Sequence, residues 1–283
     1  MRKKPSTIRI GRRYRSNRLE GPYDSLVIGS GIGGLTTAAC LAKMGRKVCV
    51  LEQHYTAGGF THSYDRNGYE WDVGVHYIGD MGSPHTMGRR LFDYISDGEL
   101  QWAPMDDHFD RIFLGAEHWD LVAGKTAYRD ALVSAFPAEE KAIDTYLDCM
   151  RWTKAGVRLH TLRKILPRWV DRLFIARQAG KLPDYFNRTT REVLESLTSD
   201  QKLIAVLTGQ WGDNGLPPAR SSFIIHSMIA QHYMHGGYYP VGGASRMAET
   251  IIPVIQQAGG EVFTYASVEQ IRVDGGKVRG VRM

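Results

Sequence analysis

Three glycines and one acidic residue near the start of the chain have the types and spacing of a dinucleotide-binding loop. Gly29, Gly31 and Gly34 stand in G-x-G-x-x-G spacing, and Glu52 follows at the interval of about 20 residues that this motif shows. Gly29 permits a tight turn, Gly31 lets a pyrophosphate approach the backbone, and Gly34 lets a helix pack close to a strand. Unpaired N–H groups and the positive dipole end of that helix would then hold the phosphates.

Glu52 would accept hydrogen bonds from the adenosine ribose, and its charge would repel a phosphate on the ribose 2′ oxygen. The first dinucleotide bound should therefore carry no phosphate there. The elements that must position these groups are visible in the sequence. Ser25–Ile28 has the composition of a buried strand, a helical apolar pattern covers residues 35–42 until Gly45 ends it, and Val48–Leu51 is a second strand. A strand, a helix, a second strand and an acidic residue follow one another in the order of this motif. That order favours a nucleotide-binding site over a turn with only a structural role.

A second glycine pair distinguishes a flavin site from a nicotinamide site. Gly58-Gly59 follows Glu52 closely, and Asn67-Gly68 is a hairpin turn signal between alternating segments. The run DVGVH, from Asp72 to His76, comes after the hairpin. A nicotinamide dehydrogenase has no need of this insertion, and the family resemblance of the same residues, given next, implies FAD as the dinucleotide.

Residues 50–79, VLEQHYTAGGFTHSYDRNGYEWDVGVHYIG, resemble the flavoprotein superfamily of phytoene desaturases and amine oxidases, and most closely its retinol saturase and carotenoid isomerase branch. The resemblance returns at residues 236–271, GGYYPVGGASRMAETIIPVIQQAGGEVFTYASVEQI, and covers the middle of the chain only loosely. It implies an α/β fold: a Rossmann-like FAD-binding domain, with helices on both faces of a parallel sheet, that carries an inserted α+β substrate domain.

The same resemblance implies a set of cofactor contacts. It places the second glycine pair against the diphosphate, the Asp-x-Gly turn at the flavin, and the backbone N–H and C=O of Val268 against the adenine. The predicted cofactor-binding residues are Gly29, Gly31, Gly33, Gly34, Glu52, Gln53, Gly58, Gly59 and Val268.

The resemblance also implies the reaction. Flavin N5 carries the hydride, so the protein need only bind FAD, hold a lipophilic polyene such as a retinoid or carotenoid near the ring, and exclude water. Saturating a C=C bond needs a proton as well as a hydride, and His76 is the candidate donor, with a core or FAD-orienting role as the alternative. NAD or NADP stays open as the electron source. Two other interpretations are an amine-oxidase-like flavoenzyme and an inactive remnant that binds nucleotide or membrane.

These patterns divide the chain into four segments. Residues 1–22 are predicted to be a basic tail, 23–80 the first part of the FAD domain, 81–235 the substrate and membrane-facing domain, and 236–283 the second part of the FAD domain. Relatives continue with more sheet and a final glycine-rich segment. We therefore expect the chain to be a fragment with an incomplete FAD site.

The net charge of +6 is unevenly distributed, because eight Arg and Lys residues precede the first acid, Glu20. The tail lacks the apolar segment of a secretory signal. It is either a solvated arm, a segment attracted to anionic lipid, or a transit peptide; nucleic-acid binding is disfavoured because no recognition module accompanies it. Three scattered cysteines show no disulfide or metal spacing, and no apolar run is long enough to span a bilayer. A cytoplasmic, peripheral membrane protein fits these features.

Residues 151–181 form a second basic segment, which contains nine Arg and Lys residues and one acidic residue, Asp171. Apolar residues including Trp169 fall on one helical side, and Pro167 is predicted to split the segment into two helices. A basic amphipathic helix with tryptophan is typical of a helix lying on an anionic membrane, although any surface helix packed on its own core is also amphipathic.

Periodicity predicts the remaining elements. Strands are expected at 111–114 and 118–122, and a helix at 138–151 with Ile143, Tyr146, Leu147 and Met150 buried. Further helices are expected at 190–208, at 219–235 with Ile225 and His226 on one face, and at 245–258. A strand is expected at 261–264, followed by a hairpin of 268–273 with 277–283.

Overall fold

The computed structural model describes residues 8–75, 77–170, 172 and 184–283. The strands, numbered in chain order, are β1 (Arg12–Arg13), β2 (Ser25–Ile28), β3 (Val48–Leu51), β4 (Ser63–Arg66), β5 (Tyr69–Asp72), β6 (Ile78–Gly79), β7 (Trp102–Pro104), β8 (His108–Leu114), β9 (Glu117–Val122), β10 (Gly237–Pro240), β11 (Glu261–Thr264), β12 (Gln270–Asp274) and β13 (Lys277–Arg282). The helices are α1 (Ile32–Lys43), α2 (Met87–Ile95), α3 (Lys125–Ala135), α4 (Glu140–Ile165), α5 (Arg168–Val170), α6 (Thr190–Glu195), α7 (Gln201–Leu207), α8 (Phe223–Tyr233) and α9 (Arg246–Gln257).

The chain forms two compact units. The first holds the described residues of Met1–Pro104 and Tyr238–Met283, and the second is built from Met105–Gly237. The insertion of one unit into the other has the order expected from the sequence, but residues 81–104 lie with the first unit, whereas we expected the second unit to begin at residue 81.

A four-stranded parallel sheet in the order β1-β11-β3-β2 is the framework of the first unit. The α/β class and the parallel sheet are confirmed. Helices α1 and α9 pack together on one face, in a core with Leu35, Ala39, Val50, Ile251 and Val262. Because β2, β3 and β11 advance across the sheet in one direction, right-handed crossovers place both helices on the same face. Helices α1 and α9 therefore do not match the prediction that helices cover both faces of the parallel sheet.

The opposite face of the sheet carries a smaller cluster. Cys49, Leu51, Phe263 and Ala266 are buried there, and the partly buried Tyr14, Tyr23, Val268 and Val281 pack against them. Cys49 is a buried free thiol, as its place on a predicted strand indicated, and burial raises its pKa to about 12.

Residues 8–22 are not the tail that the sequence predicted. Ile10 is buried, and Arg12 and Arg13 pair in parallel with Phe263 and Thr264 to form the edge strand β1. Gly11, with φ +91°, permits this approach, because a Cβ there would lie 2.9 Å from Thr264 Cγ2. The basic segment is thus part of the nucleotide-binding unit from residue 8 onward.

Both predicted hairpins of the first unit are present. β4 and β5 are joined by Asn67 and Gly68, with φ +55° and +83°, which is the geometry of a type I′ turn. β12 and β13 pair around Gly275 and Gly276. A short sheet in the order β6-β10-β7 returns the chain to this unit.

The second unit combines the predicted hairpin β8–β9 with helices α3 to α8. The predicted buried face of α4 is confirmed, but the helix continues to Ile165. The helix expected at 190–208 is two helices. Thr189 and Glu192 form a capping box at the start of α6, and Asp200 accepts hydrogen bonds from Lys202 N and Leu203 N to begin α7.

A buried polar network joins α4 to α8. Tyr146 Oη lies 2.9 Å from His226 Nε2, and Gln231 Nε2 donates to Met150 O and Ser227 Oγ. His226 is buried while its neighbour Ile225 is exposed, so the face predicted to hold both residues is wrong. Tyr146, on α4, determines which side of α8 turns inward, because a buried imidazole needs a hydrogen-bond partner.

Replacing His226 by glutamine should change how stability depends on pH. Burial lowers the pKa of His226 to about 4, below the value of about 6.5 expected when unfolded. The unfolded state then binds more protons, so wild-type stability should fall by about 1.4 kcal/mol per pH unit as the pH drops from about 6.5 towards 4. Urea unfolding at about pH 7.5 and about pH 5 measures the difference between wild type and H226Q. Equal losses of unfolding free energy in the two proteins would contradict a lowered pKa for His226.

Only part of the second basic segment can be described. α4 ends at Ile165, Pro167 separates it from α5 as predicted, and Ile165 and Trp169 are 71% and 65% exposed. Residues 171 and 173–183, including the predicted helix positions Leu173, Arg177 and Lys181, lie outside the described residues. Among the helices of the described part of the chain, none has both the length and the apolar character needed to cross a bilayer.

Candidate dinucleotide-binding site

The glycine loop lies between β2 and α1, as predicted. Gly29 has φ +92°, and its N–H donates to Leu51 O at 2.8 Å, which ties the turn to the neighbouring strand. A Cβ on Gly34 would lie 2.1 Å from Gly29 O, so any side chain there would displace the turn or the helix. The third glycine of the motif is therefore required by the packing of α1 against its own entry loop.

The start of α1 is accessible to an anion. Gly31 is the N-cap residue, and having no side chain it makes no cap hydrogen bond. A Cβ built on Gly31 or Gly33 would meet no heavy atom within 4 Å. The first N–H groups of a helix have no partner within the helix, so those at the start of α1 are available to a ligand.

Glu52 lies at the carboxyl end of β3, beneath the loop. Its Oε2 accepts hydrogen bonds from Ser30 N and Ser30 Oγ, both at 2.7 Å, and its Oε1 accepts from His54 N at 2.8 Å. Burial raises the pKa of Glu52, but the hydrogen bonds from His54 and Ser30 outweigh that effect, and the pKa is lowered overall. The carboxylate is thus ionised at neutral pH, which is the form that accepts hydrogen bonds from ribose hydroxyls.

Ser30 was missed by the sequence reasoning. Besides its two hydrogen bonds to Glu52, Ser30 accepts through its backbone O from Gly58 N at 3.1 Å. It therefore links the first glycine loop, the acid and the second glycine pair. A small hydroxyl residue between the first two glycines was the available signal, since a hydroxyl can both donate to a carboxylate and accept from a backbone amide.

The second glycine pair packs on the first loop. Gly58 and Gly59 have φ of +119° and +57°, and a Cβ on Gly59 would lie 2.8 Å from Gly31 Cα. The structure thus brings together the predicted residues Gly29, Gly31, Gly33, Gly34, Glu52, Gly58 and Gly59.

Three other predicted residues are placed differently or not at all. Gln53 is exposed next to Glu52, and Val268 packs on the small cluster of the opposite face. His76, the candidate proton donor, lies outside the described residues. The roles of all three stay predictions.

Asp72, the first residue of the Asp-x-Gly turn, accepts hydrogen bonds from residues outside that turn. Its Oδ1 accepts from Ser63 Oγ at 2.6 Å and from Ala244 N at 3.2 Å. The second bond joins the β4–β5 hairpin to the loop before α9, so the contact is long-range. Ser63 N in turn donates to Ser245 Oγ at 2.8 Å.

The residues present fit the pyrophosphate and ribose of a dinucleotide. Gly31 and Gly33 leave space at the uncapped start of α1, whereas Gly34 and Gly59 are required by close backbone packing. The ionised carboxylate of Glu52 lies beside them. Backbone donors suit phosphate oxygens, and the carboxylate suits hydroxyl donors.

Comparisons with known proteins agree with this geometry. A family model described as an NAD(P)-binding Rossmann-like domain matches residues 27–95. The all-trans-retinol 13,14-reductase of Danio rerio is 39% identical over 272 residues, which cover 93% of this chain and 45% of that protein. The chloroplastic prolycopene isomerase of Arabidopsis thaliana is 28% identical over 279 residues, covering 93% of this chain and 45% of that protein. The chain therefore spans about half the length of the curated relatives that it matches.

A solved structure shares the fold. Putrescine oxidase superposes with a TM-score of 0.56 at 17% identity, over 89% of this chain and 53% of that chain. At this identity the likeness concerns the fold alone.

Proposed function

The chain belongs to the flavoprotein superfamily that includes the retinol reductases and carotenoid isomerases, and on that premise we propose that it is part of an FAD-dependent oxidoreductase acting on conjugated C=C bonds of a lipophilic polyene. Retinoids and carotenoids are the substrate classes that the names of the relatives indicate.

One observation carries the cofactor assignment. Glu52, Ser30 and Gly58 form a single hydrogen-bonded group at the start of α1, and this group links the first glycine loop to the second glycine pair. This group holds a carboxylate at the position that accepts from ribose and leaves the helix amides available to phosphate.

Each part of the chain has a task in this proposal. Bound FAD would supply a hydride carrier for chemistry at the C=C bond. The loop from Gly29 to Gly34 orients the pyrophosphate, and Glu52 orients the ribose. His76 is proposed as the proton donor, and the unit of residues 105–237 as the part that receives the polyene and excludes water.

The electron source and the location are also proposals. NAD or NADP would deliver electrons to the flavin. A peripheral position on the cytoplasmic face of an anionic membrane would give access to a lipid substrate, and the exposed Ile165 and Trp169, with Arg163, Lys164 and Arg168 close by in sequence, support such a position.

Purified protein that carries this chain together with the remaining segments found in its relatives tests the proposal in two steps. We expect it to be yellow, to release flavin on acidification, and, once reduced anaerobically, to shift or bleach the absorbance of all-trans-retinol or of prolycopene. Colourless protein that takes up no FAD would overturn the cofactor assignment. Yellow protein that leaves both polyenes unchanged but releases hydrogen peroxide with putrescine would favour an amine oxidase instead.

A further inference from the structure

A cavity of about 260 Å³ lies beside the edge strand β1, lined by Arg9, Gly11, Arg13, Tyr55, Thr264 and Tyr265. It lies at the carboxyl ends of β1 and β11, the side of a parallel sheet where α/β proteins bind ligands. Its volume is below the roughly 300–1,000 Å³ of pockets that enclose drug-sized ligands, so it suits a small charged group.

Side chains of a strand alternate between its two sides, so the neighbouring residues Arg12 and Arg13 of β1 lie on opposite sides. Arg12 points to one side, where it pairs with Glu261 at 3.3 Å and Glu20 at 3.7 Å. Arg9 and Arg13 line the cavity instead, and among the described residues neither has an ion-pair partner. Residues 1–19 contain no Asp or Glu, so the segment itself supplies no counter-charge.

Both unpaired guanidinium groups converge on one aromatic ring. Arg9 Nη1 donates to Tyr265 Oη at 2.7 Å, and the Arg13 guanidinium lies 4.6 Å from the centre of the Tyr265 ring. The Arg9 guanidinium also lies 5.4 Å from the centre of the Tyr55 ring. Two like charges held at one phenol repel each other, and an anion bound between them would relieve that repulsion.

The backbone conformation of Tyr265 is a second, independent indication that a ligand binds between the two arginines. Tyr265 has φ +55°, in the left-handed region that bulky side chains rarely adopt, and its N–H donates to His54 O at 3.0 Å. The other described non-glycine residues with positive φ are Asn67, Asp80 and Asp97, types that tolerate this region. Strained conformations of this kind cluster at ligand sites, and here the strain sets the ring between the two arginines.

We propose that the cavity between Arg9, Arg13, Tyr55 and Tyr265 binds a phosphate group of a ligand other than the dinucleotide at Gly29–Gly34. Guanidinium groups bind phosphate through paired, charge-assisted hydrogen bonds, and aromatic contacts hold them in place for it. The phosphate could belong to a soluble phosphate ester or to a lipid headgroup.

Titration calorimetry with inorganic phosphate, at constant ionic strength and on protein saturated with FAD, tests the site. We expect saturable binding that Arg9→Gln or Arg13→Gln weakens at least tenfold. Arg12→Gln removes the same charge from the same strand but on the paired side, and should change the affinity less than twofold. Tyr265→Phe, which keeps the ring under Arg13 and removes the Arg9 contact, should give an intermediate loss.

Vesicle sedimentation identifies the source of the phosphate. Phosphatidylcholine vesicles containing phosphatidic acid are compared with vesicles of equal charge containing phosphatidylserine. Preference for phosphatidic acid that R9Q and R13Q abolish, and R12Q does not, assigns a lipid headgroup; free phosphate binding without that preference assigns a soluble ester. Absence of saturable phosphate binding to the FAD-saturated protein, or an equal loss of affinity in R12Q, would overturn the proposal. Flavin content of each variant, measured separately, shows that the FAD site is intact.

Discussion

Replacing Gly34 by alanine should abolish most FAD uptake and lower the stability of the protein. The new Cβ would lie 2.1 Å from Gly29 O and 3.1 Å from Gly29 C, and both are backbone atoms that cannot rotate away. Either α1 moves off β2 or the turn at Gly29 opens, and each change displaces the amides that would hold the pyrophosphate. Overpacking of this kind costs about 1–3 kcal/mol, and we expect FAD affinity to fall at least about tenfold. Flavin fluorescence titration and thermal unfolding measure the two effects.

Gly33→Ala is the matched control for stability. Gly33 lies in the same helical turn, yet a Cβ there would meet no heavy atom within 4 Å. Its thermal unfolding in the absence of FAD should match that of the wild type, within the gain of a few tenths to about 1 kcal/mol that Gly→Ala brings in a helix. If G34A unfolded at the wild-type temperature and kept its flavin, the assignment of the loop would fail.

Replacing Glu52 by alanine should weaken FAD binding by a comparable amount. The change removes the acceptor of three hydrogen bonds from Ser30 and His54, and it leaves the fully buried Ser30 without that partner. Hydrogen bonds to a charged group contribute about 1.5–3 kcal/mol, equivalent to about ten- to a hundredfold in affinity, and the ribose would lose its acceptor as well. Titration of the variant with FAD measures the loss.

The pH dependence of the same variant provides a second readout. Because the pKa of Glu52 is lowered in the folded protein, its contribution is present above about pH 4.3 and is lost as the pH falls through the folded pKa. The stability difference between wild type and E52A should therefore shrink in acid. A constant difference from about pH 7 down to about pH 3 would show that the carboxylate charge is not what Ser30 and His54 stabilise.

The parts of the site that could be predicted are those for which residue type alone determines geometry. Only glycine fits at Gly34, where the backbone of Gly29 is in the way, and Asn67-Gly68 suits a turn that needs two positive φ values. These constraints are local, so spacing along the sequence reveals them. Glu52 was predictable for the same reason, since it follows directly on an apolar strand.

The parts that could not be predicted depend on residues distant in sequence. β1 is two arginines long and has no periodicity, and its partner strand, β11, lies near the other end of the chain. The inward face of α8 depends on Tyr146, which belongs to another helix. The break before α7 did have a local signal, because Asp200 is a good N-cap residue, but the apolar pattern continues across it.

Strand β2 has one neighbour among the described strands, and one of its faces has little cover. Leu26 and Ile28 are aligned with Cys49 and Leu51 on the face opposite α1, yet they are 39% and 51% exposed. Parallel sheets normally have both faces covered, and an edge with free N–H and C=O groups accepts another strand readily. A further strand paired with Ser25–Ile28 would therefore extend the sheet and cover two exposed aliphatic side chains, so this edge is where the sheet can grow.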